Sequence, residues 1–200
     1  MRTNRRRLMT VHVLPSSYER LEYIENTSTA YIDCGLPPKY TYDYEIKAYV
    51  LSGNIVLGYM VDGKDHVSYR FFYVNNNFYF DVGRYRLIME DIMVLPNITT
   101  YHVKFGNYYI NSIYPSKNPK VGPTFNETMN GAYIKNLFLF GDSTSRSKTG
   151  KIYFLKIKDR GKFIRYFIPA KRKLDGEIGM YDLVGRKFYT SPNGVAFTGG

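Results

Sequence analysis

Tryptophan is absent from this chain of 200 residues and cysteine occurs once, while no apolar run approaches the roughly 18 residues that a membrane-spanning helix needs. Each shortage excludes something. A lone Cys34 permits no internal disulfide, so the fold must rest on its core, and the thiol is expected as a packed small side chain. The first residues lack the apolar stretch of a signal peptide, so the chain is expected to be soluble, unsecreted and without a membrane partner. Without Trp, the commonest stacking platform for sugars is missing. Sustained helical periodicity is missing too, apart from a short turn expected near Glu90 to Val94.

Acidic residues are also scarce. Lys and Arg number 28 against 17 Asp and Glu, a net charge of +11. The surplus is uneven along the chain: residues 1–13 carry +4, residues 14–145 carry −2 and residues 146–200 carry +9. Such a field favours an acidic partner, whether nucleic acid, anionic glycan or an acidic protein surface.

Catalytic groupings are thin. Asp43 and Glu45 alternate on one strand, but Lys47 follows them, and the three read as the wet face of a sheet rather than a glycosidase pair. His12, His66 and His102 are too dispersed to form a zinc site. Asp62, Lys64 and Asp65 read as a hairpin turn rather than a calcium loop. No cofactor, no metal and no enzymatic activity are expected.

What the chain has in quantity is Tyr, 21 of them, set in short alternating segments. Tyr42, Tyr44, Ile46, Ala48 and Val50 alternate with Asp43, Glu45, Lys47 and Tyr49, which predicts a strand with one core face and one wet face. Further strands are expected over Ile55 to Val61, Val67 to Val74, Phe78 to Val82, Tyr101 to Phe105, Tyr108 to Ile110 and Leu137 to Phe140. Lys151 to Lys158 and Phe163 to Ile168 should form a hairpin turning at Asp159-Arg160-Gly161 and ended by Pro169. Met180 to Leu183, Lys187 to Tyr189 and Val195 to Thr198 complete the series. Many short strands with turn signals at roughly ten-residue spacing predict an all-β sandwich or barrel.

The two ends of this unit carry a signature. LPSSYERLEYI at Leu14 to Ile24 precedes AYIDCG at Ala30 to Gly35, and IY-x-x-KI, D-x-G, IR-x-FIP, DG-x-IG-x-YD-x-V and a terminal G-x-x-FT-x-G follow from Ile152 onward. In this order the motifs resemble a concanavalin A-like, laminin-G-like domain of the kind found in tailed bacteriophages of gut bacteria and in surface proteins of those bacteria. The resemblance covers residues 14–200 and implies a jelly-roll β-sandwich with an extended N-terminal arm. It also implies a virion location and a non-enzymatic structural or decoration role in the head, neck or tail. A second expectation, from a different class, is a carbohydrate-binding adsorption module recognising host-surface or mucin-type glycans.

Residues 1–13 stand outside the signature. Arg2, Arg5, Arg6 and Arg7 are followed by the apolar Leu8, Met9 and Val11, too little surface to order the arm alone. The arm is therefore expected to anchor the domain to other virion proteins in a large assembly, through charge-assisted bonds and apolar or strand-pairing contact. Lys171, Arg172 and Lys173 form a second basic cluster, expected to meet an acidic neighbour. Nucleic acid is the less favoured partner, because the domain has no recognised nucleic-acid motif. For a glycan, Asn107, Tyr108 and Tyr109 beside a hairpin turn supply suitable side chains.

Overall fold

The computed structural model describes residues 13–39, 41–50, 53–60, 68–74, 77–82, 85–89, 98–104, 107–110, 136–141 and 150–200. Among them every regular element is a strand, and every strand pairing is antiparallel. The elements are β1 (Tyr18–Arg20), β2 (Ile24–Asn26), β3 (Ile32–Asp33), β4 (Tyr42–Val50), β5 (Asn54–Met60), β6 (Ser68–Val74), β7 (Asn77–Val82) and β8 (Tyr85–Met89). They continue as β9 (Thr99–Lys104), β10 (Asn107–Ile110), β11 (Phe138–Leu139), β12 (Gly150–Asp159), β13 (Lys162–Arg172), β14 (Ile178–Asp182), β15 (Lys187–Tyr189) and β16 (Thr198–Gly199). The alternation of β4 is realised residue by residue: Tyr42, Tyr44, Ile46, Ala48 and Val50 are buried and the residues between them half-buried.

The strands form two sheets. One runs β10-β9-β4-β12-β13-β14-β15, with β1 added to β13 and with β2 lying between β12 and β16; the other runs β3-β11-β5-β6-β7-β8. A single apolar core joins them, made by Ile46, Tyr101, Ile157 and Phe167 from the larger sheet and Ile32, Leu57, Phe71 and Leu139 from the smaller. The rings of Phe71 on β6 and Tyr101 on β9 meet across the core, with centroids 6.4 Å apart. Burying each such side chain contributes about 1.5–3 kcal/mol, so this layer is the main source of stability.

β12 organises the larger sheet. One of its edges pairs with β4 throughout, while the other pairs first with β2, at Gly150 to Ile152, and then with β13, at Leu155 to Asp159. The register against β4 slips between Ile152 and Phe154, where the neighbour on the other edge changes. Beyond β12, the same edge of β13 takes up β1, with Tyr18 opposite Arg172 and Arg20 opposite Ala170. Strand β2 also pairs with β16, and the amides of Glu22 and Tyr23 donate to the Gly200 carbonyl. The two signature regions at opposite ends of the sequence are therefore neighbours in one sheet.

Two sequence expectations need correction. The hairpin does not end at Pro169: β13 continues through it to Arg172. Pro169 opposes Met180 on β14, and its carbonyl accepts from the Leu21 amide on the other side. In an antiparallel strand, a residue's nitrogen and carbonyl point the same way, so the proline nitrogen faces the interval between the last pair with β12 at Phe167 and the first with β1 at Ala170. The absent N–H thus costs no ladder bond. The second correction is β8, a strand over Tyr85–Met89 where none was expected; it pairs with β7 from Val82↔Tyr85 to Phe78↔Met89. The turn expected near Glu90 to Val94 lies outside the described residues, as do Asp62, Lys64 and Asp65.

Candidate partner-binding surface

The outer face of the larger sheet carries a small second core. Ile168, Ala170, Tyr181 and Leu183 are buried there, with Leu14, Tyr18, Tyr166 and Phe188 packed against them. This follows from the pleat of β13, in which Phe167 faces the main core while its neighbours Tyr166 and Ile168 face outward. The Tyr18 ring lies 4.9 Å from Tyr181 and 5.1 Å from Phe188, so the segment leading into β1 is clamped onto this face. At Pro15 the chain makes a turn closed by the Tyr18 amide donating to the Pro15 carbonyl at 3.0 Å. Val13, the first described residue, is 69% exposed.

The β13–β14 connection stands at the same place. The Lys173 amide donates to the Ser17 carbonyl at 3.0 Å, which joins the turn to the segment that leads into β1. Arg172 holds the turn from within. Its guanidinium donates to both carboxyl oxygens of Asp175, Nε to Oδ1 at 3.0 Å and Nη2 to Oδ2 at 2.6 Å, and Nη2 also bonds Glu177 Oε2. The Gly176 amide closes back on the Arg172 carbonyl at 2.8 Å, and Gly176 takes a φ of 76°, which only a residue without Cβ adopts freely. The bond from Arg172 holds the Asp175 carboxyl below its ordinary value, and the bond from the Glu177 amide adds to the effect. Arg172 further lies over the Phe188 ring, 5.4 Å from its centroid. The result is a braced turn with Leu174 at its apex, 89% exposed, and Lys173 beside it.

Of the two sequence-derived basic clusters, only the second lies among the described residues. Lys171, Arg172 and Lys173 stand beside the segment that leads into β1, whereas Arg2, Arg5, Arg6, Arg7, Leu8, Met9 and Val11 lie outside the described residues. Within the cluster the roles differ, because the Arg172 charge is matched by Asp175 and Glu177 while Lys173 is exposed. Asn107, Tyr108 and Tyr109 are not brought to this place. They lie on β10, where Tyr108 opposes Val103 and Tyr109 opposes His102, at the far edge of the sheet and four strands from β13. At about 4.8 Å per strand the separation is roughly 19 Å.

Much of the remaining positive charge is engaged on the sheet face. Lys151 lies 4.0 Å from the centre of the Tyr23 ring, and Lys158 lies 4.6 Å from that of Phe163. Lys156 bonds Glu45 at 2.8 Å and rests over Phe154. The Lys156–Glu45 and Lys158–Phe163 contacts join neighbouring strands, and the Lys156–Phe154 contact lies along β12 itself. Glu45, one of the two alternating carboxylates on β4, is thereby occupied by an ion pair.

One polar grouping escapes detection in the sequence. Asp182 is fully buried, and its Oδ1 accepts from the amides of Tyr166 at 2.9 Å and Val184 at 3.0 Å. Its Oδ2 lies 3.5 Å from Arg165 Nε, and the same guanidinium reaches the Cys34 and Gly35 carbonyls that follow β3. This bridge ties the larger sheet to the smaller one. Cys34 is fully buried beside it, and burial pushes its thiol well above the ordinary value, which keeps it protonated. No sequence signal marks this assembly, because Asp182 and Arg165 look like ordinary outward residues of alternating strands. Comparison of the chain with protein-family models, with curated proteins and with solved structures finds no match.

Proposed function

We propose that this chain is a non-enzymatic component of a tailed-phage virion: a concanavalin A-like jelly-roll sandwich displayed on the particle and fastened to it by residues 1–13 together with the 171–177 turn. The observation that supports the reading is the bond between the Lys173 amide and the Ser17 carbonyl, which holds the second basic cluster against the segment that leads into β1. In this reading the two basic elements, far apart in sequence, serve one attachment end. The adjacency of β1 and β2 to β12, β13 and β16 supports the family resemblance, since it brings together the segments that carry it. The partner is an acidic surface of a neighbouring virion protein. Particles assembled with a chain lacking residues 1–13 should be devoid of the protein although the truncated domain folds; undiminished incorporation overturns the reading.

A second reading, a lectin-like adsorption module, draws on the position of Asn107, Tyr108 and Tyr109 on edge strand β10. That edge is remote from the attachment end, so one molecule can be fastened at one side and grip a host glycan at the other. Binding of the full chain on an array of capsular and mucin-type glycans, lost on replacing Tyr108 and Tyr109 by Ala, is the expected result.

A further inference from the structure

We propose that the β12–β13 hairpin and the β14–β15 turn beside it form a site for single-stranded nucleic acid, with a base stacking on Phe163 and phosphates meeting the cations around it. The site lies at the opposite end of β13 from Lys171, Arg172 and Lys173 and does not depend on the attachment reading. Lys156 and Lys158 on β12 oppose Tyr166 and Phe163 on β13, so these four side chains share the outward face. The Phe163 and Tyr166 rings are nearly parallel, with an interplanar angle of 19° and centroids 6.2 Å apart. Tyr166 packs against the outer core, whereas Phe163 is 37% exposed. The pairing of β13 with β14 stops at Phe167, so no described strand pairs beside Phe163 on the side away from β12.

Charge selects the ligand class. Lys158 lies over the Phe163 ring, Arg160 and Lys162 are exposed at the hairpin tip, and Arg186 stands near Tyr181 in the next turn. Among the described residues none of these four is held in an ion pair, whereas Arg172 at the other end is matched by two carboxylates. The nearby carboxylates do not oppose an anion at Phe163. Asp182 is buried against Arg165, Asp159 is half-buried opposite Lys162, and Asp43 is half-buried on β4, on the far side of Lys158 from Phe163. Cations thus flank an exposed ring from the β12 side and from the β14 side. A single strand offers backbone charge beside free base faces, the combination this surface matches. A duplex keeps its bases stacked inside, and an acidic polypeptide meets the cations without a regular row of rings beside its charge. The sequence carries no nucleic-acid motif because the site is assembled by strand pairing rather than by one contiguous segment.

The test is binding of fluorescein-labelled oligothymidylate to the full chain, read by anisotropy across a salt series, with thermal unfolding showing that each variant is folded. Phe163→Ala should weaken binding about tenfold, the loss of one stacked base. Phe163→Leu, which keeps the apolar bulk but not the ring, should weaken it as much, and Phe163→Trp should bind at least as tightly as wild type. Replacing Lys158, Arg160, Lys162 and Arg186 together by Gln should lower the slope of log affinity against log salt by about 3, four phosphate contacts at about 0.7 each. Lys173→Gln, at the other end of the domain, should change neither readout. Wild-type affinity in Phe163→Leu, an unchanged slope in the fourfold variant, or no binding of the oligothymidylate overturns the proposal. So does duplex DNA binding more tightly than the single strand. Binding of polyglutamate or heparin that falls with Phe163→Ala as far as oligothymidylate binding does would assign the surface to an acidic protein or glycan instead, and would also overturn it.

Discussion

Asp182 shows how much a single side chain can carry in a fold of short strands. It satisfies two backbone amides and faces Arg165 from a fully buried position, so its removal would leave two N–H groups without an acceptor and a guanidinium without its counter-charge. Each buried donor left unmade costs about 1–3 kcal/mol. Asp182→Ala is therefore expected to lower unfolding stability by about 3 kcal/mol, measured by urea denaturation, with an unchanged slope. A loss under about 1 kcal/mol would mean that water or a shifted backbone replaces the carboxyl at small cost. Gly185 is bound to the same site, since a Cβ there would collide with Asp182 Oδ2. Neither role is legible in the sequence. The YD-x-V motif reads as the end of a strand, and the partners of Asp182 include an amide 16 residues earlier and an arginine on the next strand. Burial of a polar side chain is decided by which strands become neighbours, and local pattern does not carry that information.

Strands and turns follow local chemistry more closely. β4 and the hairpin of β12 and β13 are readable because their alternation and turn residues state the geometry directly. The loop joining β12 to β13 has two residues, Arg160 and Gly161, with φ of 48° and 80°. Both values are positive, as a type I′ turn demands, and this turn matches the right-handed twist of the strands it joins. Gly161 adopts its angle freely, whereas Arg160 adopts it against the crowding of its Cβ, which for a typical side chain costs about 1–2 kcal/mol. Asn tolerates this region better, so Arg160→Asn is expected to stabilise the protein by about 0.5–1 kcal/mol. Thermal unfolding of the two proteins side by side checks it, and an unchanged or lower midpoint would show that Arg160 makes compensating contacts. Element boundaries are legible only where such chemistry acts. Pro169 suggests a stop but falls at the one interval of β13 where no N–H is required. β8 goes unrecognised because Tyr85–Met89 lacks clean alternation and is defined by its pairing with β7.

At the scale of the whole molecule, the larger sheet is closed by segments from both ends of the sequence. β1 and β2 fill successive positions along the edges of β13 and β12, and β16 covers the outer edge of β2. Asn26 reinforces this junction, for its side-chain amide donates to the Ala30 carbonyl at 2.8 Å and its Oδ1 accepts from Ser28. Ile24, wholly buried, belongs to the main core, and Leu14 and Tyr18 belong to the outer one. The described cores therefore begin at residue 14, which is also where the motif-bearing part of the sequence begins. Two truncations should then behave in opposite ways. Removing residues 1–13 deletes no described member of either core, and the unfolding midpoint should stay within about 2 °C of the full chain, as for changes of about 0.5 kcal/mol. Removing residues 1–26 uncovers the Gly150 to Ile152 edge of β12 and the end of β13, strips Ile24, Leu14 and Tyr18 from their cores, and leaves β16 with no partner. That product should show no cooperative thermal transition and should aggregate through its open edges. If both truncations unfolded cooperatively at similar temperatures, β1 and β2 would be ornaments of the sheet. If neither did, residues 1–13 would be part of the folding unit, and their assignment as a separable attachment arm would fail at its root.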